Sequence, residues 1–270
     1  MTGRRSFVIA GACVLGLVAL AAPGARADDD PPEALFAKGA AALEAGAYQE
    51  GIDDFEALGD RGFVHPDASF DRGLAYVMRV RAKKDRPGDL GRAAAAFEEA
   101  TLLRPDDEPA ARELQRVRAE LTRRRSRRGR DDIEAKPTLD RVLVGLLAET
   151  AWEVLALIAS AALALGLYLR ARKGGAHVAG SIVTPVAVGA LALLLPAAIE
   201  ARWLAANTRA GVVVASDVNL VDVTGKALAA PPLPEGASVE AGARDGALVH
   251  VRWGAAEGWA PLSSVRLMPR

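Results

Sequence analysis

Between Leu35 and Leu121 apolar side chains recur every three or four residues, broken by short polar turns, the periodicity of helices that bury one face. Leu35-Phe36-Ala37-Lys38-Gly39 through Ala42 predicts one helix, Gly46-Ala47-Tyr48 a turn, and Ile52, Phe55 and Leu58 the apolar stripe of a second. The pattern restarts at Asp67-Ala68-Ser69-Phe70 and runs through Gly73 and Tyr76, then Asp89-Leu90, Ala93, Phe97, Ala100, Leu103 and Pro105. A charged stretch over 81–88, containing Pro87, predicts an exposed loop. Residues 108–121 predict a closing helix, with Pro109 in its first turn and Leu114, Val117 and Leu121 at helical spacing. Two apolar runs follow, about 151–169 and 178–199; the first is interrupted only by Glu153, the second carries no charge, and each is long enough to cross a bilayer core. Pro185 and Pro196 are tolerable in a helix there. From Ala210 onward, short β-rich runs alternate with glycine and proline. Gly211-Val212-Val213-Val214, Leu248-Val249-His250-Val251 and Gly258-Trp259-Ala260 predict strands of a small barrel.

Charge divides the chain at the same places. Residues 28–121 carry 21 acidic and 13 basic side chains, 122–130 six arginines and no acid, 131–209 seven of each, and 210–270 six acidic and five basic. Such shifts mark segment boundaries rather than one mixed surface. The sums cancel to no net charge, so nothing global argues for nucleic-acid binding. A hydrophobic content of 51% excludes a disordered chain. At the start, Arg4 and Arg5, the apolar run 7–22 and Ala25-Arg26-Ala27 fit a cleavable signal peptide over 1–27, with an uncleaved anchor as the alternative. Cys13 is the single cysteine, which excludes a disulfide framework and a cysteine-ligated zinc site; Ala10-Gly11-Ala12 before it lacks the leucine a lipidation site needs.

Arg170, Arg172 and Lys173 form a basic turn between the apolar runs, so 142–203 reads as a transmembrane helical hairpin with a cytoplasmic loop. Trp152 and Trp203 then fall at the outer interface and Tyr168 at the inner one, and both flanking segments lie outside the cytoplasm. Arg123, Arg124, Arg125, Arg127, Arg128 and Arg130 stand against this topology, but they lie at the edge of the distance over which the positive-inside bias acts. Without interleaved aromatics, the segment 122–141 is read as a solvated basic linker or headgroup contact, not a nucleic-acid patch. Glu149 and Glu153 are read as an interfacial pair rather than a proton or ion site.

The helical part resembles the tetratricopeptide repeat over residues 28–121. Gly39 and Gly73 fall at matching positions, and Ala93 and Ala100 sit where close helix contact requires a short side chain. The departures are Gly51 where the family has alanine, Lys38 where it prefers leucine, and about eight extra residues around 81–88. An unrelated helical bundle is the alternative. The resemblance implies a concave surface for an extended peptide or a partner's helix, with Phe36, Leu43, Phe70 and Leu74 as candidate lining; for any one of them taken singly, ordinary core is the favoured reading.

Residues 210–270 resemble bacterial SH3 domains through Leu233-Pro234-Glu235-Gly236 before Val239, the run from Val249 to Trp253, and Glu257-Gly258-Trp259 with Leu262. On this resemblance Gly258 permits a tight turn, Trp259 supplies core area, and Trp253 and Trp259 are candidate protein-binding residues. Pro231-Pro232-Leu233-Pro234 reads as a stiffened internal turn. The order of signal, repeat pair, hairpin and SH3-like barrel resembles the E proteins of the Bacteroides aerotolerance operon (BatE), a likeness of layout more than of diagnostic residues. It implies a scaffold beside membrane partners with von Willebrand A domains and, indirectly, a cytoplasmic AAA-type ATPase.

The expected fold class is therefore a multi-domain membrane protein: all-α tetratricopeptide-type repeats, two transmembrane helices and a C-terminal all-β SH3-like barrel. There is no GxSxG, no phosphate-cradling glycine loop with a lysine and no HExxH, and His65, His177 and His250 lie in separate segments. No catalytic residue, metal or cofactor is expected. The expected function is a non-enzymatic inner-membrane scaffold or adaptor acting on protein partners, with its repeat and SH3-like parts periplasmic. The alternative is a peptidoglycan-binding or envelope-stress-sensing anchor acting mainly through the SH3-like part.

Overall fold

The computed structural model describes residues 30–127, 129 and 138–269. The residues read as a signal peptide, Cys13 among them, and residues 128 and 130–137 of the expected linker lie outside the described residues. All elements below belong to the unit Pro32–Arg270.

Five helices come first: α1 (Pro32–Glu44), α2 (Tyr48–Asp60), α3 (Pro66–Arg81), α4 (Asp89–Leu103) and α5 (Glu108–Ser126), each packed on the next. Their ends are set locally. Pro66 and Pro109 occupy first turns, where a missing N–H loses no bond, and Asp107 caps α5 by accepting from the Ala110 N–H at 3.0 Å. Gly46 ends α1 at a φ of +75°, which lets its own N–H reach Leu43 O and the Ala47 N–H reach Ala42 O. Gly62 ends α2 in the same way, with Phe63 N–H on Leu58 O.

The helix pairs α1–α2 and α3–α4 are built around one repeated contact. Gly39 and Gly73 lie 34 residues apart, and a Cβ at either would meet a phenyl ring, Phe55 at 3.0 Å or Phe97 at 2.8 Å. Phe36 and Phe70, one turn earlier, set their edges against those same rings at 5.9 and 5.6 Å between centroids. The extra residues of the second pair fall in an exposed loop over 82–87, where the charge pattern predicted them.

After α6 (Leu139–Val144) come α7 (Glu149–Arg170) and α8 (Gly175–Asn207), two helices long and apolar enough to cross a membrane. Both outrun the predicted apolar cores, and α8 continues through Glu200, Arg202 and Trp203 almost to the first strand. They pack through small residues: Ala156, Ala159 and Gly166 of α7 and Gly180, Thr184 and Ala187 of α8 are buried, while Leu157, Ile158, Ile182, Val186 and Leu193 face outward. Thr184 Oγ1 returns its proton to Gly180 O at 2.7 Å, so the buried hydroxyl is satisfied within its own helix. Glu153 accepts from Arg202 at 2.9 Å across the open end of the hairpin, and both side chains are exposed.

The C-terminal part is a five-stranded antiparallel sheet in the order β4-β3-β2-β1-β5. Its strands are β1 (Arg209–Val213), β2 (Ser238–Asp245), β3 (Leu248–Trp253), β4 (Ala256–Pro261) and β5 (Val265–Leu267). The long strand β2 and the short β5 carry no alternation strong enough to have been read beforehand. Leu233, inside the proline-rich segment, is fully buried and exchanges both backbone hydrogen bonds with Val218, so that segment is anchored rather than presented.

Two sequence expectations about this sheet are corrected. Gly258 makes no turn: it lies within β4, where a Cβ would stand 2.7 Å from Leu228 Cδ1, so its role is close packing, and the β3–β4 turn is made by Gly254 at φ +60°. Trp259 does not fill the core. It pairs with His250 on the opposite face, rings 5.3 Å apart, while Val249, Val251 and Ala260 point inward.

One hydrophobic core joins helices and sheet. Ile52, Ala93, Phe97, Val117 and Leu121 belong to the same buried cluster as Val212, Val239, Val249 and Met268. Leu35, Phe55, Leu58 and Ala68 form a second, smaller cluster between the first two helices and α3.

Candidate functional site

The helical stack holds its charges inside as pairs. On α3, Arg72 and Arg79 point at α4: Arg72 donates to Glu99 at 2.7 Å, Ser69 supplies a second donor to that carboxylate at 3.2 Å, and Arg79 grips Asp89 with two donors. These four charged side chains are each at least nine-tenths buried, so the pairs fix the register of α3 on α4.

The sheet docks on α2, α4 and α5 through polar contacts laid over the shared core. Glu235 accepts from the Gly91 N–H at 2.8 Å, Glu98 binds Arg118 and the Ser238 hydroxyl, and Arg125 reaches Asp217 at 3.0 Å. Burial pushes the Glu98 carboxyl above its ordinary range, although Arg118 and Ser238 pull the other way. Arg266 of β5 donates to Glu56 of α2, which also accepts from Tyr76 at 3.0 Å. Burial, with the Glu56 carboxylate adding to it, pushes the Tyr76 phenol far above its usual range. Around these groups lies a cavity of 410 Å³ that also holds Arg72 and Arg92.

A second opening, 340 Å³, is the cleft between α3 and α5, lined by Val77, Val80, Arg81, Glu113, Arg116 and Val117. No sheet residue lines it. Leu74 is half-buried one turn before Val77 on α3, and Leu43 of α1, also half-buried, stands 34 residues before Val77. Phe36 and Phe70 are committed to the aromatic contacts inside their helix pairs. Trp253 lies half-buried against the shared core while Trp259 sits on the other face, so the structure does not bring the two tryptophans together.

Comparison with known proteins gives no match. No family model, no curated protein and no solved structure matches the chain. Among the described residues no group of three or more His, Cys, Asp or Glu side chains is placed to hold a metal ion.

Sequence reasoning missed the helix–sheet junction. A local signal is glycine at the start of α4: a Cβ on Gly91 would stand 2.9 Å from Val213 O and one on Gly88 2.4 Å from Val214 O, and a glycine there marks close approach of another backbone. The partners of that approach lie more than a hundred residues away and leave no local trace.

Proposed function

We propose that the chain is a non-enzymatic scaffold, held in a membrane by the α7–α8 hairpin, that gathers protein partners on its helical stack. The observation that carries this reading is the duplicated contact of Phe36, Gly39 and Phe55 with its counterpart Phe70, Gly73 and Phe97, the glycine offset by 34 residues. A tetratricopeptide-type pair needs this packing, a small residue on its first helix beneath a large one on its second. The sheet covers α2, α4 and α5 and leaves the α3–α5 cleft open, so that cleft with Leu74 is the proposed partner surface. The small sheet is read as SH3-like and acts as a support for the stack. By the resemblance in layout to the aerotolerance E proteins, the proposed partners are inner-membrane proteins with von Willebrand A domains and, through them, an AAA-type ATPase. The helical stack and sheet are placed on the periplasmic side.

The shared core governs how this is tested. Deleting 33–121 or 210–270 would strip half of one core from the other, so truncations report unfolding rather than function. The informative variant is Leu74→Arg with Arg81→Glu, which reverses the charge of the cleft wall at Arg81, places a charge one turn before it on α3 at Leu74, and leaves the buried cluster intact. In-cell crosslinking followed by detergent pull-down is expected to recover integral membrane proteins with soluble adhesion-type domains from the wild type and to lose them from the variant, at unchanged thermal stability. Identical partner sets from both proteins would sink the reading. Peptidoglycan fragments recovered equally from both would move the function to the sheet.

A further inference from the structure

Among the described residues, three buried polar atoms without a hydrogen-bond partner fall in one place, Thr138 Oγ1, Arg141 Nε and Arg141 Nη1, next to the ion pair of Arg141 with Glu240. Their residues line a cavity of 550 Å³ where α5, the start of α6, the end of α8 and strands β1 to β3 meet. Arg118, Arg209 and Arg252 line it as well, and among the described residues Glu240 is the one carboxylate in the wall.

The arginines are engaged unequally. Arg118 is held by Glu98 and Ser238, and Arg252 pairs with Glu257 at 2.8 Å. Arg141, whose side chain is only 13% exposed, meets Glu240 through Nη2 at 2.9 Å, which leaves its Nε and Nη1 donors unfilled; Glu200 stands 3.7 Å from Nη1, beyond hydrogen-bonding distance. A mostly buried guanidinium with two empty donors is costly unless an acceptor completes it. Several guanidinium forks on one cavity match the oxygens of a phosphate group better than those of any neutral ligand.

The surroundings decide which phosphate. Leu204 of α8 is part of the wall, its neighbour Trp203 is 57% exposed, and Leu139, Leu143 and Leu146, spaced four and three residues apart on and just past α6, are exposed as an apolar strip beside Arg141. A free anion gains nothing from that strip, whereas acyl chains do. We propose that the cavity binds the headgroup phosphate of an anionic phospholipid, with Arg141 and Arg209 as its main donors, Thr138 as a further one, and the acyl chains lying over α6 and the hairpin. Glu240 stays paired with Arg141 Nη2 and turns that arginine's remaining donors toward the phosphate. The inference rests on the membrane reading of α7 and α8 but not on any protein partner.

The test uses the full chain in non-ionic micelles, titrated with dioctanoyl phosphatidylglycerol, dioctanoyl phosphatidylcholine and inorganic phosphate, and followed by tryptophan emission and by thermal stabilisation. Saturable binding of the glycerol lipid alone is expected. Arg141→Gln with Arg209→Gln should weaken it by about tenfold or more, the effect of losing charge-assisted bonds to a phosphate. Arg209→Gln alone serves if the double variant does not fold, since Arg209 lies only half-buried at the start of β1. Arg112→Gln, on the exposed side of α5, should change nothing. Equal binding of the glycerol and choline lipids, or wild-type affinity in Arg209→Gln, would overturn the proposal. Inorganic phosphate that binds as well as the glycerol lipid would overturn the lipid assignment and leave a site for a soluble anion.

Discussion

Replacing Arg79 by methionine isolates what the buried pairs contribute to the helical stack. Asp89 is 1% exposed and Arg79 6%, and the aspartate accepts two donors from Arg79 and the Arg86 N–H at 2.8 Å. Arg79 also reaches Gln49 of α2 at 2.5 Å, so one guanidinium ties three helices together. Arg79→Met leaves the Asp89 carboxylate buried with a single backbone donor. An uncompensated buried charge costs about 3–5 kcal/mol. The position of Asp89 in the first turn of α4 returns about 1 kcal/mol of that through the helix dipole. A net loss of about 2–4 kcal/mol in a unit of this size lowers Tm by about 4–16 °C. Circular dichroism melts of the detergent-purified chain measure it. The companion Arg79→Met, Asp89→Leu removes both charges; beyond the Gln49 contact that both variants lose, it leaves the Arg86 N–H without its acceptor, about 1–3 kcal/mol offset by new apolar contact, so it should melt above the single variant. A single-variant shift under about 2 °C, or a double variant that melts below the single, would refute the reasoning.

Because burial raises the Glu98 carboxyl in the folded state, its proton stabilises the fold at low pH, and that contribution disappears as pH rises from the ordinary value of 4.5 through the raised one. Glu98→Gln abolishes the titration, so the Tm of the wild type minus that of the variant should fall between pH 4.5 and neutrality; a flat difference over that range would count against the burial of this group. In the hairpin, a Cβ on Gly180 would stand 2.4 Å from Arg170 N and 2.7 Å from Gly166 O, both backbone atoms that cannot give way. Gly180→Val should therefore part α7 from α8 and speed tryptic cleavage at the basic turn in detergent, and unchanged cleavage kinetics would show that the helices do not pack at that glycine.

What the amino-acid sequence determined by itself is whatever is local. The apolar stripes of Ile52, Phe55 and Leu58 or of Leu114, Val117 and Leu121, the proline and glycine punctuation between helices, and the two long apolar runs each report their element through neighbours three or four positions away, so these helices stand where the pattern places them; the expectation of a linker over 122–141 is corrected, because α5 runs on through Ser126, with Arg125 paired to Asp217 of the sheet part, and α6 begins at Leu139. The exposed charged loop before α4 was equally legible, because a charged stretch with a proline has nothing to bury. Tertiary structure alone decided the rest. Gly91 meets Glu235 and Glu98 meets Ser238 across about 140 residues of chain, contacts that exist only once the sheet has closed on α4. Trp259 was misplaced for the same reason: alternation tells which strand residues share a face, but which face is covered depends on the helices that pack against it. Arg141 and Arg209 look like ordinary flanking charges in the sequence. They become a candidate binding site because α6, α8 and the sheet converge and line one cavity with both, two donors of Arg141 being left unfilled there, and convergence of elements far apart in the chain is a property of packing that no single segment encodes.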